Sequence, residues 1–225
     1  MKSLSPKRTR ANEVKRRLYA KEAANYDKEA DFSERWLFGT DHRGWACSRA
    51  IGDTLEVAIG TGLNLPYYPA DVRLHGLDLS PEMLAIAKSR AKTLGRTIKL
   101  MEGDAQDLPL ADRSFDTVVC TYALCSVPDD ARAIAEMNRV LKPGGRLMLV
   151  DHIRSSVRPI FWLQWLYAFI PRRTKGEYST RRPALHVIAA DLQIEARDRL
   201  RAGIIERLFA VKPGGQRQAA SLSHD

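Results

Sequence analysis

The chain has 225 residues, 44% of them hydrophobic and 28% charged, with a net charge of +9; that suffices for one medium domain whose core needs no disulfide or metal staples. Its three cysteines, Cys47, Cys120 and Cys125, form neither a secreted disulfide framework nor a CxxC metal-ligand pair, so no metal is expected. The opening MKSLSPKRTR lacks the apolar run of a signal peptide, and the longest apolar stretch, IFWLQWLYAFI at 160–170, is too short to span a bilayer; the expectation is a cytoplasmic protein.

The charge is uneven. Residues 1–21 hold eight Lys or Arg and one acid, and residues 152–182 hold seven and one. Such clusters attract anionic lipid, nucleic acid or an acidic substrate, and serve equally well as a solvated face.

In chain order, residues 11–30 and 32–50 carry apolar residues at helical spacing and read as one or two helices, after a polar end over 1–10 that is expected to fray. TLEVAI (54–59) reads as a buried strand running into a Gly turn, and VRLHGLD (72–78) as the next strand. Ser80 and Pro81 open a helix over 81–94, Ser80 as its N-cap and Pro81 in its first turn. IKLMEG (98–103) and FDTVVCTY (115–122) are the third and fourth strands. A helix over 129–141 stops at Lys142-Pro143-Gly144-Gly145, and RLMLVDH (146–152) is the fifth strand. An aromatic stretch over 159–170, a helix over 181–191 and a hairpin of 194–203 and 204–212, turning near Ala202-Gly203, complete the chain. Strands alternating with helices imply a parallel sheet covered on both faces; a terminal hairpin makes its end antiparallel. The division expected is a basic tail and helical cap over 1–50 and a ligand-binding domain over 51–213. Within that domain 153–192 forms a lid on one side, and a disordered tail follows over 214–225.

The most informative motif is Glu56-Val57-Ala58-Ile59-Gly60-Thr61-Gly62-Leu63-Asn64, just past the first strand. Gly60 and Gly62 allow a sharp turn and close approach of a ligand. A nicotinamide fingerprint needs a third Gly three residues on, where Leu65 stands. Asp78 ends the second strand, and a carboxylate there can accept from both ribose hydroxyls. Asp104 follows the third strand, where it can take an adenine amino group, while Leu79 and Met83 can pack on the adenine ring. Each carboxylate also has a plain structural reading, Asp78 at a helix cap and Asp104 in a turn.

LEVAIGTGLNLPYY, HGLDLSPEMLAIAK, GDAQDLPLADRSFDTVVCTYALCSVPD and RVLKPGGRLMLVDH, spanning about residues 50–152, together resemble the class I S-adenosylmethionine (SAM)-dependent methyltransferases of the methyltransferase type 11 group. Within that group the chain is similar to thiol methyltransferase-like and phospholipid N-methyltransferase-like proteins, and more distantly to quinone-ring C-methyltransferases. The resemblance implies an α/β, Rossmann-like fold with a seven-stranded, mostly parallel sheet. It implies SAM as cofactor and S-adenosylhomocysteine as product, with Glu56, Gly60 and Gly62 around the methionine end and Ala58 and Asn64 as further cofactor contacts. Asp78 would hold the ribose, Asp104 and Ala105 the adenine, and Thr121 would lie beneath the sulfonium. Ala58 departs from the pattern, which usually has Gly there. Tyr19 and Tyr26-Asp27 resemble a helix closing over SAM; Tyr26 packing on the sheet is the plainer reading.

For the chemistry, His152 is the best candidate base and Tyr122 a candidate to meet the acceptor or shield the sulfonium. Cys125, Trp162 and Trp165 are candidate acceptor contacts, Cys125 reading equally as a small apolar filler. The aromatic stretch suggests a small amphipathic or lipid-like acceptor, with peripheral contact at the inner face of a membrane through Arg172, Arg173 and Lys175. CTYALCSVP lacks both the Asn/Asp-Pro-Pro-aromatic motif and the Pro-Cys nucleophile of nucleic-acid methyltransferases, which argues against a nucleic-acid acceptor. A non-catalytic SAM-binding protein and an NAD oxidoreductase are the remaining alternatives.

Overall fold

The computed structural model describes residues 6–174, 178 and 180–214; of the tail expected over 214–225, all but Gly214 lies outside them. Helix α1 spans Pro6–Ser33 as one 28-residue element, beginning inside the segment expected to fray. The reason is legible afterwards: Pro6 suits a first helical turn, and no Gly or Pro occurs from Lys7 to Phe38. The helix passes into a π-helical turn, Glu34–Phe38, which ends at Gly39 with φ 98°. A short α2 (His42–Cys47) follows, so the second expected helix is broken in two.

The strands are β1 (Asp53–Val57), β2 (Arg73–Asp78), β3 (Ile98–Glu102), β4 (Phe115–Thr121), β5 (Leu141–His152), β6 (Gln193–Leu200) and β7 (Ile205–Val211). They form one sheet in the order β3-β2-β1-β4-β5-β7-β6. β1 to β5 are parallel; β7 inserts antiparallel between β5 and β6. The order reverses at β1, so a crevice opens beyond the carboxyl ends of β1 and β4, where ligands of open α/β sheets bind.

α3 (Pro81–Thr93) begins as expected, with the Ser80 hydroxyl accepting from Met83 N and Pro81 in the first turn. α4 (Asp130–Val140) is capped by the Asp129 carboxylate and buries Ala133, Ile134, Met137 and Val140 along one stripe. The helix yields directly to β5 at Leu141, so Lys142–Gly145 continues as irregular strand rather than loop. Leu141 pairs with Phe115, and the register then shifts before Arg146 pairs with Thr117, with Gly144 at φ 78° absorbing the kink. α5 (Arg158–Thr174) carries the aromatic stretch, and α6 (Pro183–Ala189) is shorter than expected. The residue before Pro183 is disfavoured from helix, and Asp191 at φ 57° ends the segment. Apolar clusters lie on both sheet faces: one joins β1, β4 and β5 to α4 and α6, the other joins the sheet to α2 and α3.

Candidate active site

A cavity open to solvent lies at the carboxyl ends of β1, β2, β3 and β4, with α1 across it. Its floor is the turn after β1. Ala58 sits there at φ 57° and Gly60 at φ 57°; the left-handed backbone at Ala58 explains why glycine suits that position better, by about 1 kcal/mol. Gly60 faces the cavity, and a Cβ added there would meet nothing within 4 Å. Gly62 does a different job. A Cβ there would approach Leu65 Cδ1 to 2.8 Å and Ala87 Cα to 3.3 Å, so this glycine lets α3 pack against the turn.

Asp78 and Asp104 both line the cavity, with Leu79, Met83, Ala105 and Tyr26. The Asp78 carboxylate is buried and accepts from Gly60 N (2.8 Å) and Ser80 N (2.9 Å), which fixes its orientation. Burial raises its pKa, and those backbone N–H groups oppose the rise. Asp104 accepts from Gln106 N and Nε2 on one oxygen and, at 2.7 Å, from Asn12 Nδ2 of α1 on the other. The Asn12 amide therefore lies against the oxygen at which an adenine amino group would donate.

α1 is fastened at both ends of the cavity. Besides Asn12, Asp27 accepts from Thr61 Oγ1 at 2.6 Å and pairs with Arg90 of α3. Between these anchors Lys15, Tyr19 and Tyr26 face the cavity. Burial pushes the Tyr26 hydroxyl up to about 12, so it stays protonated and a donor.

Beneath the cavity runs a buried polar network that sequence reading reached only in part. Asn64 Nδ2 donates to Glu56 Oε1 (2.8 Å) and Thr121 Oγ1 (2.9 Å), and the Tyr68 hydroxyl donates to Glu56 Oε2 (2.9 Å). Both Glu56 oxygens are thus engaged within the protein. Neither Glu56 nor Asn64 lines the cavity, whereas Thr121 does. Burial raises Glu56 to about 7, against the pull of Tyr68, Arg43 and Asn64. Arg43, on α2, reaches Asn64 Oδ1 (3.0 Å) and Thr121 Oγ1 (3.3 Å) while gripping Glu34 of the π-helical turn. Burial works against its charge, but the Glu34 ion pair more than offsets this and raises the Arg43 pKa. Nothing local in the sequence marks Arg43; its partners lie up to 78 residues away.

Tyr122 follows β4 at φ 55°, a strained conformation for a non-glycine residue, and lines the cavity. Arg43 lies 5.0 Å from the centre of its ring. His152 stands behind Tyr122, ring centroids 5.0 Å apart, with Phe38 on another side at 4.2 Å. Burial, with Arg43 and His42 nearby, lowers His152 to about 4, leaving it a neutral imidazole at ordinary pH. Among the described residues, Tyr122 Oη and His152 Nε2 are buried polar atoms with no hydrogen-bond partner, a pattern expected where a ligand group completes the set.

Cys125, Asp151 and His152 bring possible ligand atoms within 4.8 Å of one another. The Asp151 carboxylate already accepts from Cys125 N (3.2 Å) and His152 N (2.7 Å), and burial raises it to about 6. Cys125 lies 4.0 Å from His152 Nδ1 and outside the cavity lining. Trp162 and Trp165 are far from enclosed, at 63% and 57% exposure, and do not line it either.

A seven-stranded sheet with an antiparallel β5–β7–β6 end is the fold of class I methyltransferases. Residues 55–149 match the family described as methyltransferase domain. The phosphatidylethanolamine N-methyltransferase of Cereibacter sphaeroides is 40% identical over 111 residues, 48% of this chain and 55% of the relative. The demethylmenaquinone methyltransferase of Deinococcus radiodurans is 39% identical over 119 residues, 48% of this chain and 49% of the relative. The chain thus spans about half the length of the curated relatives it matches. A SAM-dependent methyltransferase structure from Thermotoga maritima superposes with a TM-score of 0.66 at 21% identity, over 87% of this chain and 99% of that one.

Proposed function

We propose that the protein transfers a methyl group from SAM to a small amphipathic or hydrophobic acceptor. The observation that carries this reading is the pairing of Asp78 and Asp104 across one cavity above the open Gly60 turn. These groups suit a nucleoside: Asp78 the ribose hydroxyls, Asp104 the adenine amino group, and Met83 and Leu79 the ring faces. SAM, when bound, supplies an activated methyl group and its own leaving group. The chain's residues then need to align the acceptor and exclude water. Tyr122 meets the acceptor from the cavity wall, and α1 closes the cavity above. Where the acceptor arrives protonated, His152, which stands behind Tyr122 and outside the cavity lining, is the candidate to take the proton. No metal is required in this scheme, so dialysis against EDTA leaves turnover unchanged; loss of activity restored by zinc would reject it.

The acceptor class draws support from the printed names of the two relatives, one acting on phosphatidylethanolamine and the other on a demethylmenaquinone, both amphiphiles. Methylation of a quinone ring carbon is the second reading, favoured by the latter relative. Among the described residues no helix is long and apolar enough to cross a membrane; an amphiphile would be met by peripheral contact at the inner membrane face. The test is incubation of purified protein with methyl-labelled SAM and cell extract, followed by partition between chloroform and water. Label in the organic phase is expected. Label confined to water would reject the amphiphile and redirect attention to polar metabolites and nucleic acid.

A further inference from the structure

Two groups of large apolar side chains stand out in solvent. On α5, Trp162, Leu163, Trp165 and Leu166 are between 57% and 68% exposed. At 100° per residue they share an arc of about 160°, opposite Phe161 and Gln164. The inward side is fastened: Gln164 donates to Ile153 O and accepts from Ser155 N, and Arg154 stacks on Phe161. The helix thus turns its apolar arc outward by construction. At the end of α1 and in the π-helical turn, Phe32, Trp36 and Leu37 are between 58% and 70% exposed.

Both groups flank one corner of the sheet. Phe38 packs on His152 at the end of β5. A Cβ on Gly39 would meet the Arg201 side chain in the β6–β7 turn. Ser155 donates to Ala202 O in that same turn, 2.6 Å away, and Gly203 abuts Ser156. The corner also lies next to the candidate acceptor end, because His152 touches Phe38 on one side and Tyr122 on another.

We propose that these two groups form one docking face for an anionic lipid bilayer, placing the acceptor end of the cavity at the membrane surface. The inference rests on the amphiphilic-acceptor reading above for its purpose, though not for its test. Charge selects the occupant. From Ile153 to Thr174 the chain holds four arginines and no acid, and Arg154, Arg158 and Arg201 are exposed. Tryptophan and leucine beside arginine suit the boundary between headgroups and acyl chains. A helix of 17 residues is shorter than the roughly 20 needed to span, so α5 lies along the surface. A second copy of the chain docking symmetrically would set arginine against arginine.

The experiment is flotation of the full chain with vesicles of phosphatidylglycerol and phosphatidylcholine, against vesicles of phosphatidylcholine alone. Binding is expected to the anionic vesicles, with a blue shift of tryptophan emission, and to weaken at high salt. W165E/L166E and W36E/L37E, all at exposed positions, are each expected to weaken vesicle binding at least tenfold. S-adenosylhomocysteine affinity, measured by calorimetry, should stay unchanged and so report an intact fold. No binding by the parent chain, or equal binding by both variants, would overturn the proposal. So would a concentration-dependent dimer abolished by W165E/L166E. Vesicle binding without organic-phase label would uphold docking and reject the acceptor reading instead.

Discussion

Asn12 Nδ2 donates to Asp104 Oδ2 at 2.7 Å, joining the first turns of α1 to the mouth of β3 across 92 positions of sequence. The Asn12 carbonyl accepts in turn from Gln106 Nε2. A hydrogen bond to a carboxylate contributes about 1.5–3 kcal/mol, so Asn12→Ala should loosen the roof. The expected outcome is S-adenosylhomocysteine binding weakened about tenfold, chiefly through faster release in stopped-flow. An unchanged release rate would mean that α1 does not hold the ligand.

Asp78 is oriented by two backbone N–H groups before any ligand arrives. Asp78→Asn keeps the shape but turns one acceptor into a donor facing either Gly60 N or Ser80 N. Affinity for S-adenosylhomocysteine should fall roughly 50-fold, equivalent to about 2–3 kcal/mol for lost charged hydrogen bonds. Calorimetry showing a loss under threefold would remove Asp78 from the ribose role.

Glu56 gives a pH signature. Its folded pKa, raised by burial to about 7 from 4.5, means that the folded state holds a proton the unfolded state has released. Its stabilising effect is therefore full below about pH 4.5 and is lost as pH rises through about 7. Glu56→Gln should flatten that part of the melting-temperature profile, because the Tyr68 hydroxyl can rotate to accept from the amide. A variant profile as steep as the parent's between pH 5 and 8 would assign the slope elsewhere.

Much of the fold is legible in the sequence because it is written locally. Ser80-Pro81 marks the start of α3, and β-branched runs mark β1, β2 and β4. The carboxylates at the strand ends follow from the same pattern. What escapes is whatever joins distant segments. Asn12 and Arg43 resemble ordinary helix-surface residues until α1 and α2 are laid on the sheet, and Glu56 looks ligand-facing until Asn64 and Tyr68 are seen to consume both its oxygens. Hydrophobic pattern also misplaces Trp162 and Trp165, because an outward apolar arc and an inward one have the same spacing. Lys142–Gly145 reads as a stop, although the backbone there pairs with β4 after a register shift.

His152 and Tyr122 are separable by kinetics. Replacing the neutral imidazole in His152→Gln should lower kcat about 100-fold if it takes the acceptor's proton, with S-adenosylhomocysteine affinity kept. Because His152 is held near 4, its ionisation should impose no limb on the rate profile above about pH 5. Tyr122→Phe should instead raise the acceptor KM. Equal effects of both substitutions on cofactor affinity would mark them as parts of the cofactor wall only.

The 28 residues of α1 form one rigid rod of about 42 Å, clamped at Asn12 and again at Asp27. A ligand reaching from Asp78 to Asp104 would lie under that rod, and its release would be eased where one of the clamps breaks and the rod tilts. A protein held this way would be timed like a latch, its working pace set by how often that rod lifts. If so, the first round of methyl transfer in rapid-quench experiments is a burst, with every later round waiting on the spent cofactor's exit; a linear time course from the start would show that the chemistry keeps the time.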